Sequence, residues 1–319
     1  MKNTGIHHIS VLSSDVEKAY DFYHNILGLK LIIKTVNQED YNMYHLFFGD
    51  ETGRGGTEFT VFEMKRTKPY TFGTNSIERT MFLVPSEQSL FYWKERFDTL
   101  GVCHYDIEQF GNRKILRFED EDGQRLGLEY REDINLEKFN PYIHPSVAKE
   151  HAILGIASIQ LRARYLEPSA KQLTNFFDFK NIETIKAFDK EVTIFEHNND
   201  FKHQVHIIVD KDAPNQKLGT GAIHHVAFGV ESKEDLNKLQ LLLDEKNIPS
   251  SGIKDREFIY SSYYRDPTGN VFEVATPLSK KYQSYPEQNK KFDEIPLFLP
   301  DFLLYYKEEI EKNLEKNKK

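Results

Sequence analysis

An internal repeat is the feature of this 319-residue sequence that most restricts the folds it can adopt. Residues 5–11 read GIHHISV and residues 222–228 read AIHHVAF. Both segments alternate and are rich in β-branched residues, which predicts a strand. Each is followed by a helix-like stretch and by further strand patterns. Such self-similarity indicates a chain built from copies of one supersecondary unit.

Two weaker copies of the unit lie between the clear ones. The four strand–helix–strands units, named here modules 1 to 4, begin near residues 6, 77, 156 and 223. Because one such unit leaves a sheet face uncovered, the modules are expected to pair. We therefore predict two domains, residues 1–148 and 149–278, with a linker over residues 132–149.

Residues 279–319 form a different kind of segment, which is polar and interrupted by prolines as far as residue 300. Asp301 is a suitable N-cap, and lysines occupy the last turns of residues 302–316, where the helix dipole favours cations. We predict a C-terminal helix there, packed on the second domain or acting as a lid or dimer contact. Its apolar stripe would consist of Phe302, Leu303, Tyr306, Ile310 and Leu314.

Charge and cysteine content narrow the possible functions. Lys and Arg total 42 against 50 Asp and Glu, and the net charge of −8 argues against nucleic-acid binding. A single cysteine excludes an internal disulfide framework and a cysteine-rich metal site. No run approaches the ~18 apolar residues of a membrane span, and the first residues lack an apolar signal core. The sequence therefore predicts a cytoplasmic protein that binds a small molecule or a protein partner, not a membrane.

The distribution of histidine pairs singles out two of the four modules. Equivalent positions in modules 1 to 4 hold His7-His8, Glu78-Arg79, Ala157-Ser158 and His224-His225. A purely structural role would favour similar chemistry at all four positions. Neighbours on a strand point to opposite faces, so one histidine of each pair should face the sheet interior. The repeat makes His8 equivalent to His225, but it does not choose this pair over His7 and His224.

A carboxylate completes the pattern in module 4. Glu273 lies in an apolar strand, four residues after Gly269, whereas the equivalent positions hold Thr60 in module 1 and Gly127 in module 2. A carboxylate on such a strand is costly to bury unless it is paired or bound to a metal. Two imidazoles and one carboxylate form the facial triad that is typical of non-heme Fe(II).

Several longer segments carry a family resemblance. They are residues 5–37, 44–50 (YHLFFGD), 221–230 and 263–277 (YYRDPTGNVFEVATP). In these segments the chain resembles the vicinal oxygen chelate superfamily. Within it, the chain is similar to the two-domain extradiol ring-cleaving dioxygenases that act on hydroquinones, among them bacterial quinone-resistance proteins. The resemblance covers about residues 5–278. It implies an α+β fold of four βαβββ modules, paired into two domains with cupped mixed sheets and flanking helices.

The resemblance also implies a metal site and its substrates. The second histidine of each pair and the strand glutamate would be the ligands: His8, His225 and Glu273. The metal would be Fe(II), with Mn(II) as an alternative, since both accept this ligand set. The substrates would be a small aromatic diol and O₂, and the role would be detoxification of quinones. Members of the superfamily often self-associate, so a homo-oligomer is possible.

Five further residues are implied to act around the metal. His7 and Ser10 sit beside the first ligand, and His224 sits beside the second. His224 is the first candidate for proton transfer and His7 the second. Arg256 would stabilise a phenolate, and Tyr263 would donate a hydrogen bond near the open coordination positions.

Two other functions remain open on the same scaffold. A glyoxalase-like metal-dependent lyase or isomerase usually carries a second carboxylate ligand, and Thr60 and Gly127 argue against one here. A non-catalytic protein that sequesters quinones or drugs generally lacks the two histidines and the glutamate. Residues 38–41 and 60–63 depart from the usual family pattern. These departures bear on substrate size more than on the metal.

Overall fold

The computed structural model describes residues 1–282 and 290–317. Within these residues the chain forms sixteen strands and five α-helices. The strands are β1 (Asn3–Ser13), β2 (Lys30–Val36), β3 (Tyr44–Gly49), β4 (Glu58–Glu63), β5 (Ser76–Leu83), β6 (His104–Phe110), β7 (Arg113–Glu119), β8 (Arg125–Glu129), β9 (Gly155–Ala163), β10 (Lys180–Ala187), β11 (Lys190–Glu196), β12 (Gln204–Val209), β13 (Ile223–Val230), β14 (Lys254–Asp255), β15 (Tyr260–Arg265) and β16 (Val271–Ala275). The helices are α1 (Val16–Tyr20), α2 (Glu87–Leu100), α3 (Leu166–Phe176), α4 (Lys233–Glu245) and α5 (Lys307–Asn317).

The strands form two curled, eight-stranded half-barrels. The first has the order β14-β15-β16-β13-β1-β4-β3-β2, and the second has the order β10-β11-β12-β9-β5-β8-β7-β6. Each module contributes one strand, a helix and three more strands, and the helices cover the sheets. The predicted α+β class, with four βαβββ modules and a C-terminal helix, is confirmed.

The sheets combine the modules in an order that differs from the predicted one. β1 pairs antiparallel with β13, so modules 1 and 4 share the first sheet. β5 pairs antiparallel with β9, so modules 2 and 3 share the second. Residues 1–148 and 149–278 therefore each give one module to each sheet. Since the leading strand of every module offers a similar edge, the repeat predicts that modules pair but not which ones do.

Local sequence signals begin and end the helices. Ser232 caps α4: its hydroxyl accepts a hydrogen bond from the backbone N–H of Asp235 at 3.2 Å. Ser86 caps α2 in the same way, and Gly101 ends α2 in the left-handed conformation with φ of 70°. No helix in residues 1–282 or 290–317 is long and apolar enough to cross a membrane.

The C-terminal segment differs from its prediction in two respects. A 3₁₀-helix occupies Asp301–Tyr306 before α5 begins. Leu303, Ile310 and Leu314 are buried as expected, but Phe302 and Tyr306 are about half exposed. The tighter winding of a 3₁₀-helix rotates side chains off the stripe that α-helical spacing predicts. The segment also contacts module 1, because module 1 lies in the same sheet as module 4.

Candidate metal centre

Two β-bulges shape the centre of the first sheet. In the β1–β13 ladder, Ile6 pairs with Phe228 and His8 with Ala227, so His7 is an extra residue. In the same ladder Ser10 pairs with His225 and Val11 with Ile223, so His224 is an extra residue in β13. A bulge re-aims the neighbouring side chains and commonly occurs beside a functional site. The simple alternation assumed for each histidine pair is therefore interrupted at His7 and at His224.

Three predicted ligands converge on the concave side of this sheet. His8 Nε2 lies 3.3 Å from His225 Nε2. Glu273 Oε2 lies 3.1 Å from His8 Nε2 and 2.9 Å from His225 Nε2. All three side chains are buried. The structure thus brings together His8, His225 and Glu273 rather than the alternative pair His7 and His224.

The chemistry of this donor set fits a divalent metal ion. A first-row metal bound at about 2.1 Å by ligands at right angles sets its donor atoms about 3.0 Å apart. The three observed separations lie close to that value. Among the described residues, Oε1 of the buried Glu273 carboxylate has no hydrogen-bond partner, and Oε2 is approached by the Nε2 atoms of His8 and His225. A buried carboxylate of this kind is costly unless a cation satisfies it.

The three side chains are strongly coupled electrostatically. Burial opposes the charged form of His8, but the facing Glu273 carboxylate outweighs burial and raises the pKa of His8. Burial lowers the pKa of His225, and Glu273 offsets only part of that effect. Burial favours a neutral Glu273, yet the two imidazoles hold its pKa well below the ordinary range. The carboxylate is therefore ionised and ready to bind a cation.

The other histidine of each pair supports the ligand from behind. His7 Nδ1 lies 3.0 Å from His8 Nδ1, and His224 Nδ1 lies 2.8 Å from His225 Nδ1. A hydrogen bond at Nδ1 fixes the tautomer that leaves Nε2 free for a metal. The two supports differ, because a buried carboxylate, Glu58, lies with Oε2 3.2 Å from Nδ1 of His7, whereas no carboxylate of the described residues lies that close to His224.

A cavity of about 390 Å³ opens above the three ligands. Its size is at the lower end of the range for small-molecule sites, which favours a single-ring ligand. Its walls are mostly apolar, and a few polar groups lie near the ligands. The apolar wall consists of Leu12, Met43, Phe47, Phe62, Met64, Phe258 and Ile259.

Four of the five implied outer residues line this cavity, and three of them have titratable side chains. Those three are His224, Arg256 and Tyr263. Tyr263 is paired across the strands with Glu273, and its ring meets the ring of His225 edge-on at 5.6 Å. Burial, followed by the charge of Glu273, holds the pKa of Tyr263 well above its usual range, so the hydroxyl keeps its proton. Burial and the neighbouring His225 lower the pKa of His224 to about 4.

Arg256 is already engaged in an ion pair. Its Nη2 lies 2.7 Å from Oε1 of Glu39, and Gln38 donates a hydrogen bond to its carbonyl at 2.7 Å. These contacts join the loop after β2 to the loop before β15. Gln38 and Glu39, in the stretch where the sequence departs from the family pattern, therefore line the cavity.

The two remaining implied residues occupy different positions. Ser10 lines the cavity, and its hydroxyl lies 2.6 Å from that of Thr60, which contacts Nε2 of His45 at 3.0 Å. His45 stacks on Phe62 with ring centroids 3.9 Å apart. His7, in contrast, is buried and does not line the cavity.

Sequence reasoning missed Glu58, although a signal for it was present. Glu58 begins the apolar run of β4, as Glu273 lies within the apolar run of β16. In the parallel β1–β4 ladder it lies directly opposite His8. Glu58 lies two residues before Thr60, the position equivalent to Glu273, so a comparison of equivalent positions does not reveal it.

Comparison with known proteins places the chain in a family. A family model described as the Glyoxalase/Bleomycin resistance protein/Dioxygenase superfamily matches residues 5–128 and 155–274. The candidate ring-cleaving dioxygenase MhqA of Bacillus subtilis (strain 168) is 38% identical over 278 residues, which cover 86% of this chain and 88% of that protein. The chlorohydroquinone/hydroquinone 1,2-dioxygenase of Sphingobium indicum is 27% identical over 294 residues, or 89% and 88% of the two chains.

Solved structures agree with this placement. A candidate dioxygenase from Bacillus subtilis subsp. subtilis str. 168 superposes with a TM-score of 0.84 at 25% identity, covering 98% of this chain and 97% of that one. Glyoxalase I from Zea mays shares the fold, with a TM-score of 0.63 at 15% identity and coverage of 87% and 93%. The family model covers most of the chain in two blocks, and the relatives match along nearly their whole length. The chain therefore belongs to the Glyoxalase/Bleomycin resistance protein/Dioxygenase superfamily.

Proposed function

We propose that this protein is an Fe(II)-dependent ring-cleaving dioxygenase that inserts O₂ into the ring of a hydroquinone or catechol, in the detoxification of quinones. The observation that carries the proposal is the convergence of His8, His225 and Glu273 at the floor of an apolar cavity. Relatives that share 38% and 27% of their residues with this chain are named as ring-cleaving or hydroquinone dioxygenases. Mn(II) is the alternative metal for the same ligands.

The ligand set determines what a bound metal contributes. His8, His225 and Glu273 would hold Fe(II) from one side, and the ion would supply open coordination positions and one-electron redox chemistry for a phenolic oxygen and O₂. The apolar wall orients the ring and excludes bulk water, so each polar group near the ligands acts in a low-dielectric site. His8, His225 and Glu273 all line the cavity, so an ion held by them would be accessible to a ligand bound there.

The residues above the ligands have distinct roles in this proposal. His224 lines the cavity and is neutral near pH 7, so it can accept the proton of a substrate hydroxyl and return it to the product. Tyr263 keeps its proton, so its hydroxyl can donate a hydrogen bond to a substrate oxygen bound beside Glu273. Arg256 supplies positive charge at the mouth, balanced by Glu39 until an anionic substrate enters. His7 supports His8 through its Nδ1 atom. Ser10 lies on the cavity wall beside His8.

Oxygen consumption coupled to metal content tests this function. Protein purified without oxygen is loaded with Fe(II) or Mn(II), and O₂ uptake is followed with 2-methylhydroquinone and with catechol. We expect metal-dependent uptake and a ring-opened product that contains both oxygen atoms of ¹⁸O₂. If the protein binds metal but consumes no O₂ with any diol, the lyase or isomerase function is favoured instead. If it binds no metal, a non-catalytic quinone-binding protein is favoured.

A paired substitution tests the ligand assignment. Glu273→Gln removes the only acid of the donor set, so we expect activity to fall at least about 1,000-fold and metal to be lost. Glu39→Gln, at the cavity mouth, is the matched control and should retain its metal. Full metal binding by the Glu273→Gln variant would remove Glu273 as a ligand.

A further inference from the structure

One loop of module 4 supplies several groups to the cavity wall. Arg256, Phe258 and Ile259 all line the cavity and lie just before β15. The first sheet is an open half-barrel with β2 at one edge and β14 at the other. On its open side, Phe258 faces Phe47 of β3, with ring centroids 5.9 Å apart. The width of the cavity therefore depends on what holds this loop in place.

The C-terminal segment holds the loop from outside. We name Tyr282 together with residues 290–301 the C-terminal strap. The ring of Tyr282 packs edge-on against Phe258 at 4.6 Å and against Phe298 of the strap at 5.1 Å. Tyr282 is buried, so it forms a second layer directly behind the cavity wall.

Polar contacts fix the same loop at Glu257, the residue between Arg256 and Phe258. Its Oε1 accepts a hydrogen bond from the Tyr282 hydroxyl. The same oxygen forms an ion pair with Nζ of Lys281 at 2.6 Å. Its Oε2 accepts the backbone N–H of Asp301 at 2.8 Å. Lys281 also pairs with the Asp301 carboxylate at 2.8 Å.

The other end of the strap is anchored on the opposite edge of the half-barrel. The buried ammonium of Lys34, in β2, donates to the carbonyls of Phe292 and Ile295 at 2.7 and 2.8 Å. It also lies 4.0 Å from the centre of the Phe292 ring, a cation–π contact. The N–H of Phe298 donates to the Lys34 carbonyl at 2.8 Å. The strap thus spans from module 1 to the module 4 loop.

We infer that the C-terminal strap determines substrate selectivity, with Tyr282 acting through Phe258 to limit the ring substituents that the cavity accepts. This inference rests on the proposed function, because it concerns the substrate of the same site. Tyr282 is a positioning residue: it does not line the cavity, but it is packed against a residue that does. Its removal opens space behind Phe258 and lets that ring move away from the metal ligands.

A substrate pair of different size tests the inference. The ratio of kcat/KM for tert-butylhydroquinone to kcat/KM for hydroquinone is measured in the Fe(II)-loaded full-length protein. Tyr282→Ala should raise this ratio about tenfold, which is the discrimination that one small apolar group provides in a pocket. KM for hydroquinone should rise while kcat changes little, and metal content should not change. Tyr282→Phe keeps the ring and should restore most of the selectivity. Tyr305→Ala, whose side chain is 90% exposed, is the matched control.

Hydrogen exchange provides a readout that does not require turnover. Residues 254–260 should exchange faster in Tyr282→Ala than in Tyr305→Ala or the wild type. Glu257→Gln is a milder variant that removes the charge pairing at the same loop, and it should accelerate exchange there as well. Unchanged exchange in both variants, or unchanged selectivity in an active and folded Tyr282→Ala protein, overturns the inference. If the wild-type protein is inactive on every diol, the proposed function is wrong. Hydrogen exchange of residues 254–260 then decides by itself whether the strap holds the loop.

Discussion

Glu58 is the buried acid that supports the first ligand histidine without contacting the cavity. It approaches Nδ1 of His7, which in turn approaches Nδ1 of His8. When His8 donates its Nδ1 proton to His7, the Nδ1 of His7 cannot also donate to Glu58. The carboxylate therefore acts on His8 through its charge, which adds to that of Glu273 in raising the pKa of His8 against the effect of burial. The second ligand, His225, receives support from His224, which has no comparable acid at hydrogen-bond distance among the described residues.

Replacing Glu58 should therefore weaken metal binding more than it changes the cavity. We expect Glu58→Gln to lower the affinity for Co(II), used as a spectroscopic probe, by about 10- to 100-fold. Glu63→Gln is the matched control, since Glu63 is a buried acid of the same strand that contacts the N–H of Val16. Equal Co(II) affinity in the Glu58→Gln variant and the wild type would contradict this role.

The three proposed ligands could be selected from the sequence by residue type, but their geometry could not be predicted. The repeat predicts that His8 and His225 are equivalent, and the apolar setting of Glu273 makes it a candidate ligand. The choice between the histidines of each pair depends on bulges at His7 and His224. A bulge is set by cross-strand pairing rather than by local pattern, so alternation alone cannot reveal it.

At the scale of elements, one turn recurs before the last strand of a module. Asp120 begins the turn before β8, where its carboxylate accepts the N–H groups of Asp122 and Gln124 at 3.0 and 2.8 Å. Asp266 occupies the same place before β16 and accepts the N–H groups of Thr268 and Asn270, both at 2.9 Å. The sequence predicts this turn-forming role for Asp266 because aspartate caps such turns.

The buried Asp120 gives the stability of the protein a defined pH dependence. Burial raises its pKa from 3.8 to about 6, and the hydrogen bond from Tyr23 offsets only part of that shift. Because the pKa of Asp120 is higher in the folded state, its protonated carboxyl favours folding. This contribution to the unfolding free energy is fully present below pH 3.8 and is lost as the pH rises through about 6. Asp120→Asn should remove this loss, since an amide oxygen still accepts both backbone N–H groups.

Chemical unfolding between pH 4 and 8 measures the effect. The difference in unfolding free energy between Asp120→Asn and the wild type should shift by about 1–3 kcal/mol in favour of the variant as the pH rises. Asp212→Asn, at an exposed site, is the control and should follow the wild type. A constant difference across this range would show that Asp120 does not titrate there.

At the scale of the molecule, the proposed metal site joins modules from the two ends of the sequence. His8 belongs to module 1, whereas His225 and Glu273 belong to module 4. A bound ion therefore stabilises the union of two modules that the sequence separates. The repeat made the module type predictable, but which modules share a sheet depends on contacts between distant segments, and no local pattern encodes them.

Metal binding should consequently raise the thermal stability of the whole chain. At an Fe(II) concentration 100 times the Kd, the folded state gains about 2.7 kcal/mol, which corresponds to an increase in Tm of about 5 °C. Differential scanning calorimetry without oxygen measures the shift, and the Glu273→Gln variant should show none. An unchanged Tm in the wild type at saturating Fe(II) would argue against a site that bridges the modules.

The pairing of modules 1 and 4 also bears on how the protein is made. The ligands His8 and His225 are 217 residues apart, so at ~5–20 residues per second a ribosome needs roughly 10 to 40 s between them. During that time the edge of β1 that later pairs with β13 has no partner, and an unpaired edge promotes aggregation. The three proposed ligands can come together only after synthesis has passed Glu273, when most of the polypeptide has left the ribosome.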